Sequence, residues 1–177
     1  YATDWSYGID ESLTFMIPGF MGTASGYDVG TESHLYETLV KNGVSKADAK
    51  AFCQSAPTYW GEQPFTVGSV YAGAIVCFLF VLGLLLVKGP YKWALLVATF
   101  FSFALAWGKN WMWLTELFFE YFPLYSKFRS VSSILIVAEV TVPLLGFLAL
   151  KQIMDGTVDK KKKKKNLYIS AGITGGL

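Results

Sequence analysis

The chain has 177 residues, of which 53% are hydrophobic, 17% aromatic and only 16% charged, with a formal net charge of +2. Soluble globular domains carry about 25% charged residues, so the composition argues against an ordinary soluble domain. The charges sit in the first 66 residues, in short loops and in one lysine run, leaving long uncharged stretches, which is how a membrane protein distributes charge.

The chain opens at Tyr1 without a methionine and closes on Gly175-Gly176-Leu177 inside an apolar stretch. Residues 1–20 lack a basic region followed by an apolar one, so no signal peptide is expected. These features predict an internal piece of a longer protein, inserted by upstream helices. Cys53 falls in a polar segment and Cys77 in an apolar run, at different depths, so no disulfide is expected between them. No CxxC or Cys/His cluster suggests a metal, and the only histidine is His34.

Residues 1–66 hold 8 acidic and 3 basic residues, with Gly and Pro scattered through them, and read as an extracytoplasmic loop segment. Thr31 or Ser33 caps a short helix that ends near Asn42-Gly43. Ser45 with Asp48 resembles a capping box, opening a second short helix that stops before Pro57. Asp4, Asp10, Glu11, Asp28, Glu32 and His34 are candidates for acid–base or metal chemistry, but no spacing among them matches a known signature. They read as surface polar residues of a loop.

Residues 67–177 read as a transmembrane region. The 21 residues from 67 to 87 carry no charge, and at 1.5 Å per residue they reach about 31 Å, enough for a span. The basic turn Lys88-Gly89-Pro90-Tyr91-Lys92 follows, then a second span over about 91–108 with Trp93 and Trp107 near its ends, where aromatic belts form. The aromatic stretch 108–123 carries Glu116 and Glu120 four residues apart, on one face of a helix lying in the membrane interface.

Lys127 and Arg129 then lead into a third span over about 130–150. Cations here break the positive-inside trend and have two readings: ligands for a phosphate, or snorkelling side chains at the interface. Glu139 is the only charge within that span, near mid-membrane, where it would face a bundle interior or take up a proton. Pro143 follows four residues later and predicts a kink. Lys151 and the six lysines at 160–165, Lys160 first and Lys165 last, read as a solvated cytoplasmic loop touching anionic lipid headgroups rather than nucleic acid. A fourth span starts from about Asn166. Lysine placement sets the orientation: 88–92 and 151–165 cytoplasmic, 1–66 and 108–129 outside.

Three passages carry a family resemblance: Tyr59-Trp60-Gly61-Glu62-Gln63-Pro64-Phe65-Thr66 with Tyr71-Ala72-Gly73, then Trp107-Gly108-Lys109-Asn110, then Phe122-Pro123 and Lys127-Phe128-Arg129. Together they resemble bacterial YfhO-type membrane proteins, over most of residues 5–150. Those are polytopic proteins similar to GT-C glycosyltransferases, which move a sugar from a polyprenyl-phosphate carrier to an acceptor outside the membrane. The uncharged runs read as a mainly α, polytopic transmembrane helical bundle, which the resemblance places in the bacterial cytoplasmic membrane. It also implies a polyprenyl-phosphate sugar donor whose phosphate meets Arg129 and Lys127, and a catalytic acid upstream of Tyr1. The sequence departs from the family after Arg129, where Ser130-Val131-Ser132 replaces a Tyr-Pro and a second Arg. No cofactor is evident, and no sequence feature supports a divalent metal. Two other functions compete: a transporter or flippase using Glu139 beside Pro143, and a non-catalytic membrane assembly protein.

Overall fold

The computed structural model describes residues 3–66, 68, 70–127, 130–156 and 158–176. The protein is mainly helical, with 64% of the described residues in helices. Among the described residues the α-helices are α1 (His34–Lys41), α2 (Lys46–Cys53), α3 (Ala74–Leu86), α4 (Tyr91–Ala106), α5 (Met112–Tyr121), α6 (Ile136–Met154) and α7 (Lys160–Gly175). Short 3-10 turns fill Asp10–Phe15, Gly108–Trp111, Tyr125–Lys127 and Val131–Leu135.

The two short helices are set by local chemistry. Of the two candidate caps for α1, Ser33 does the work, its hydroxyl accepting from Tyr36 N–H at 3.3 Å. The Ser45 hydroxyl accepts from Asp48 N–H at 3.1 Å and donates to the Asp48 carboxyl at 2.6 Å. Asp48 therefore closes on the capping hydroxyl itself, because its side chain is one methylene shorter than the Glu of a full capping box. Residues 21–29 and 53–60 run antiparallel, joined at Gly22–Tyr59 and Tyr27–Ala56.

α3 begins at Ala74, seven residues later than the apolar run. The preceding segment is held by the N-terminal region instead: Ser25 N–H donates to Thr66 C=O, and Ala72 and Gly73 N–H both donate to Phe15 C=O. Gly73 takes φ +101, a conformation that only glycine adopts without strain. At 1.5 Å per residue α3 is about 20 Å long, short of a bilayer core. The stretch Val131–Met154 is the one described helix long and apolar enough to cross a membrane, and α4 with the following Gly108–Tyr121 passes the same test only as a pair bent by 109°.

α3 packs against α6 and α7, and α4 against α6. α3 and α6 run in the same direction, since Val76 lies with Ala138 and Val142 near one end while Leu82 and Leu86 meet Ala149 near the other. Two glycines let them approach: a Cβ on Gly83 would stand 2.7 Å from the Leu145 carbonyl oxygen, and one on Gly146 would stand 3.0 Å from Leu79 Cβ. Glycine at such a crossing lets the two backbones approach closely enough for dispersion contact along the seam. α4 is tied by polar contacts to α6, through Thr99 with Thr141 at 2.7 Å, and to the 3-10 turn before it, through Ser102 donating to Ile134 C=O at 2.7 Å. α6 runs through Pro143 as one helix.

The lysine run corrects the sequence expectation. It is helical, forming the first turns of α7 rather than a loop, and α7 starts at Lys160, ahead of the span start expected near Asn166. Asp159 caps it, accepting from Lys161 and Lys162 N–H at 3.2 and 3.4 Å. Lysines at the positive end of the helix macrodipole are unfavourable. The cap, the good helix propensity of lysine and the packing of α7 against α3 offset that cost.

Candidate functional site

The end of the bundle opposite the lysines is closed by residues 3–16. Tyr7 is fully buried between Ala106 and Leu135, and Phe15 packs edge-on to Phe103 at 5.3 Å. Tyr7 N–H donates to Ala106 C=O at 2.8 Å, satisfying one of the carbonyls that the last turn of α4 leaves open. Just beyond, Gly108 adopts φ +44 and the chain turns into α5. The Ser6 hydroxyl receives Lys109 N–H at 2.9 Å, Trp107 Nε1 donates to Ser12 at 2.8 Å, and Thr115 donates to Gly108 C=O at 2.8 Å. The sharp turn is thus braced from three sides.

Against this corner the passages 59–62 and 107–110 meet. Asn110 Nδ2 donates to Glu62 at 2.9 Å and to Tyr7 C=O at 3.0 Å, while Lys109 Nζ stands 3.2 Å from the same Glu62 carboxylate oxygen. The Asn110 hydrogen bond, with Lys109 beside it, holds Glu62 below the usual carboxylate range. Glu62 is therefore ionised at neutral pH, and this contact weakens only as the pH falls through its lowered value. Glu62, Lys109, Asp4 and Trp5 line an open cleft of about 430 Å³.

Behind the cleft lies a buried polar chain. Glu11 is 1% exposed and accepts hydrogen bonds from Gly8 N–H at 3.0 Å and from the Tyr59 hydroxyl. Tyr59 in turn accepts Gln63 N–H at 3.1 Å, and Tyr7 pairs with Thr14. Glu11 is thus not the surface loop residue expected from its sequence context. Burial pushes Tyr7 up to about 12, and burial with the Glu11 hydrogen bond pushes Tyr59 well above the usual phenol range. The raised Tyr7 value means that its contribution to folding is whole below its ordinary value of 10.0 and is lost as the pH rises through about 12. An alkaline titration followed by tyrosinate absorbance should show Tyr7 ionising together with release of residues 3–16; ionisation near 10 in the folded protein would contradict that burial.

The other sequence candidates are dispersed. Asp10 accepts Glu11 N–H at 3.0 Å and Asp28 accepts Gly30 N–H at 2.9 Å, both local turn contacts. His34 is exposed, 3.8 Å from Glu37. Glu32, Glu116 and Glu120 are exposed. Lys127 is exposed on the turn after α5, and Arg129 lies outside the described residues. An apolar cavity of about 440 Å³ sits nearby, lined by Leu105, Phe118, Phe122, Tyr125, Ser130 and Ile134 among others. Glu139 is exposed on the face of α6 turned away from α3 and α4, between Ile136 and Val140. It does not point into the packed interior of the described helices. Both cysteines are free thiols. Among the described residues no group of three His, Cys, Asp or Glu side chains could hold a metal ion.

Glu62, Lys109 and Asn110 were not singled out by sequence reasoning as a site. The available signal was that each falls in a passage carrying the family resemblance, 48 and 47 residues apart, too far for any local pattern to pair them. No family model matches the chain, and neither a curated protein nor a solved structure does.

Proposed function

We propose that the chain belongs to an integral membrane protein that transfers a sugar from a polyprenyl-phosphate carrier to an acceptor outside the bacterial cytoplasmic membrane. The observation that carries this reading is the meeting of two family-like passages, 59–62 and 107–110, in one charged cleft at the bundle end away from the lysines. In this reading α3, α4, α6 and α7 belong to a polytopic bundle. Lys88, Lys92, Lys151 and the lysine run mark its cytoplasmic side. Exposed Trp93, Val97 and Phe100 on α4, with Val140 and Phe147 on α6, face lipid or further helices. α5 lies in the outer interface, with Trp113 and Tyr121 exposed as anchors.

The chemistry divides between the two outer features. The apolar cavity beside Ser130 takes part of the isoprenoid chain, while Lys127 and Arg129 neutralise the carrier phosphate as it leaves. The Glu62–Lys109 cleft, with the Trp5 ring on its wall, offers hydrogen-bonding and stacking partners to a polar acceptor. Glu62 acts there as a fixed acceptor; a carboxylate held at low pKa is a weak general base. The base that activates the acceptor hydroxyl is supplied by another part of the protein.

Arg129→Ala in the full-length protein should lower sugar transfer about a hundredfold or more while leaving membrane insertion unchanged, measured with polyprenyl-phosphate sugars in membranes. Unchanged transfer would overturn the phosphate role. A second reading, a transporter or flippase, draws on the exposed carboxyl of Glu139 in the apolar face of α6. Glu139→Gln in the same assay should have a modest effect, and a complete, pH-dependent loss would favour the transporter. A non-catalytic assembly protein would show no transfer with either donor or acceptor varied.

A further inference from the structure

At the lysine-bearing end, the α3–α4 turn, the last turn of α6 and the first turn of α7 enclose a cavity of about 570 Å³. Its walls carry three lysines from three separate elements: Lys88 from the turn, Lys151 from α6 and Lys162 from α7. Leu86, Val87 and Leu148 form an apolar floor. Asp155 and Asp159 also line it, and one oxygen of the Asp159 carboxyl accepts the Lys161 and Lys162 amides. Only Lys162 of the six-lysine run lines this cavity, because successive helix positions rotate by about 100° and the run covers every side of α7.

We propose that this cavity is a binding site for one anionic phospholipid, its phosphate held by Lys88, Lys151 and Lys162 and the upper part of its acyl chains on the Leu86, Val87 and Leu148 floor. The three lysines of the lining outnumber its two carboxylates, so a phosphate entering the cavity is attracted on balance. An apolar floor gives a soluble phosphate nothing, whereas it continues a lipid into the bilayer. Basic pockets between membrane helices on the cytoplasmic side bind anionic headgroups by this combination. The inference sharpens a diffuse attraction of lysines to the membrane surface into a single stoichiometric site. It rests on the reading of the chain as membrane-embedded, and not on sugar transfer.

The test is native mass spectrometry of the protein released from detergent micelles containing phosphatidylglycerol, phosphatidylcholine or glycerol 1-phosphate. The wild type should retain one phosphatidylglycerol in preference to phosphatidylcholine and no glycerol 1-phosphate. The triple variant K88Q/K151Q/K162Q should weaken phosphatidylglycerol retention on the order of a hundredfold. A control with the same loss of charge, K161Q/K164Q/K165Q, should retain it. Equal losses in both triple variants, or equal retention of phosphatidylcholine, would overturn the site. Retention of glycerol 1-phosphate as strongly as the lipid would overturn the lipid as ligand. Flotation of the wild type with pure phosphatidylcholine vesicles separately tests the membrane reading, so failure there is distinguishable from failure of the site.

Discussion

Gly83→Val should destabilise the protein by roughly 3 kcal/mol or more, at the upper end of overpacking costs, seen as a large drop in the thermal midpoint in detergent. The added Cβ alone would stand 2.7 Å from both Cγ and the carbonyl oxygen of Leu145, and backbone cannot swing aside as a flexible side chain can. The helices must separate, and with them the contacts of Leu82, Leu86 and Ala149 that lie along the same seam. Gly146→Ala should cost less, since its Cβ meets Leu79 Cβ at 3.0 Å and a few tenths of an ångström of movement relieves it. Gly172→Ala in α7 meets nothing within 4 Å and should stabilise slightly by restricting the unfolded chain. Equal tolerance at Gly83 and Gly172 would show that α3 and α6 do not cross as closely as described.

Glu11→Ala should cost about 3 kcal/mol, because it strands the buried Gly8 N–H and the half-buried Tyr59 hydroxyl at once, each worth about 1–3 kcal/mol when unpaired and the second at the lower end. The loss should be local as well as global. Tyr59 links Glu11 to the segment that carries Glu62, so freeing it should expose residues 17–58 to limited proteolysis before the helices unfold. Glu11→Gln keeps one acceptor oxygen and should lie between the two. Tyr59→Phe removes the other partner, and the Glu11→Ala/Tyr59→Phe double variant should cost clearly less than the sum of the singles. Strict additivity would mean that the two side chains do not interact. In the proposed function the same variants should weaken acceptor use without touching the carrier phosphate, since Glu11 and Tyr59 sit behind the Glu62 cleft and not beside Lys127.

The apolar runs and cap residues were legible because their signals are local. A stretch without charge, or Ser33 and Ser45 before short amphipathic runs, need only neighbours a few residues away. The mainly helical class followed from these alone. The lysine run misled for the same reason: its charge argued for solvated loop, while the features that make it helical are a capping Asp159 and the packing of α7 against α3. The last of these is a contact with residues some 80 positions earlier; Asn166 Nδ2 reaches toward Leu85 C=O at 3.5 Å.

By itself, the amino-acid sequence determined that this chain is mainly helical, where its uncharged runs lie and which end of the bundle collects the lysines. Only the tertiary structure decided that residues 3–16 close the other end, that Glu11 is buried and that Glu62 meets Lys109 and Asn110. Helix propensity and hydrophobic period depend on residues within a turn or two. Whether a polar side chain is buried or bathed in water depends on partners brought by the fold from 48 or 103 residues away, and no local pattern encodes those pairings.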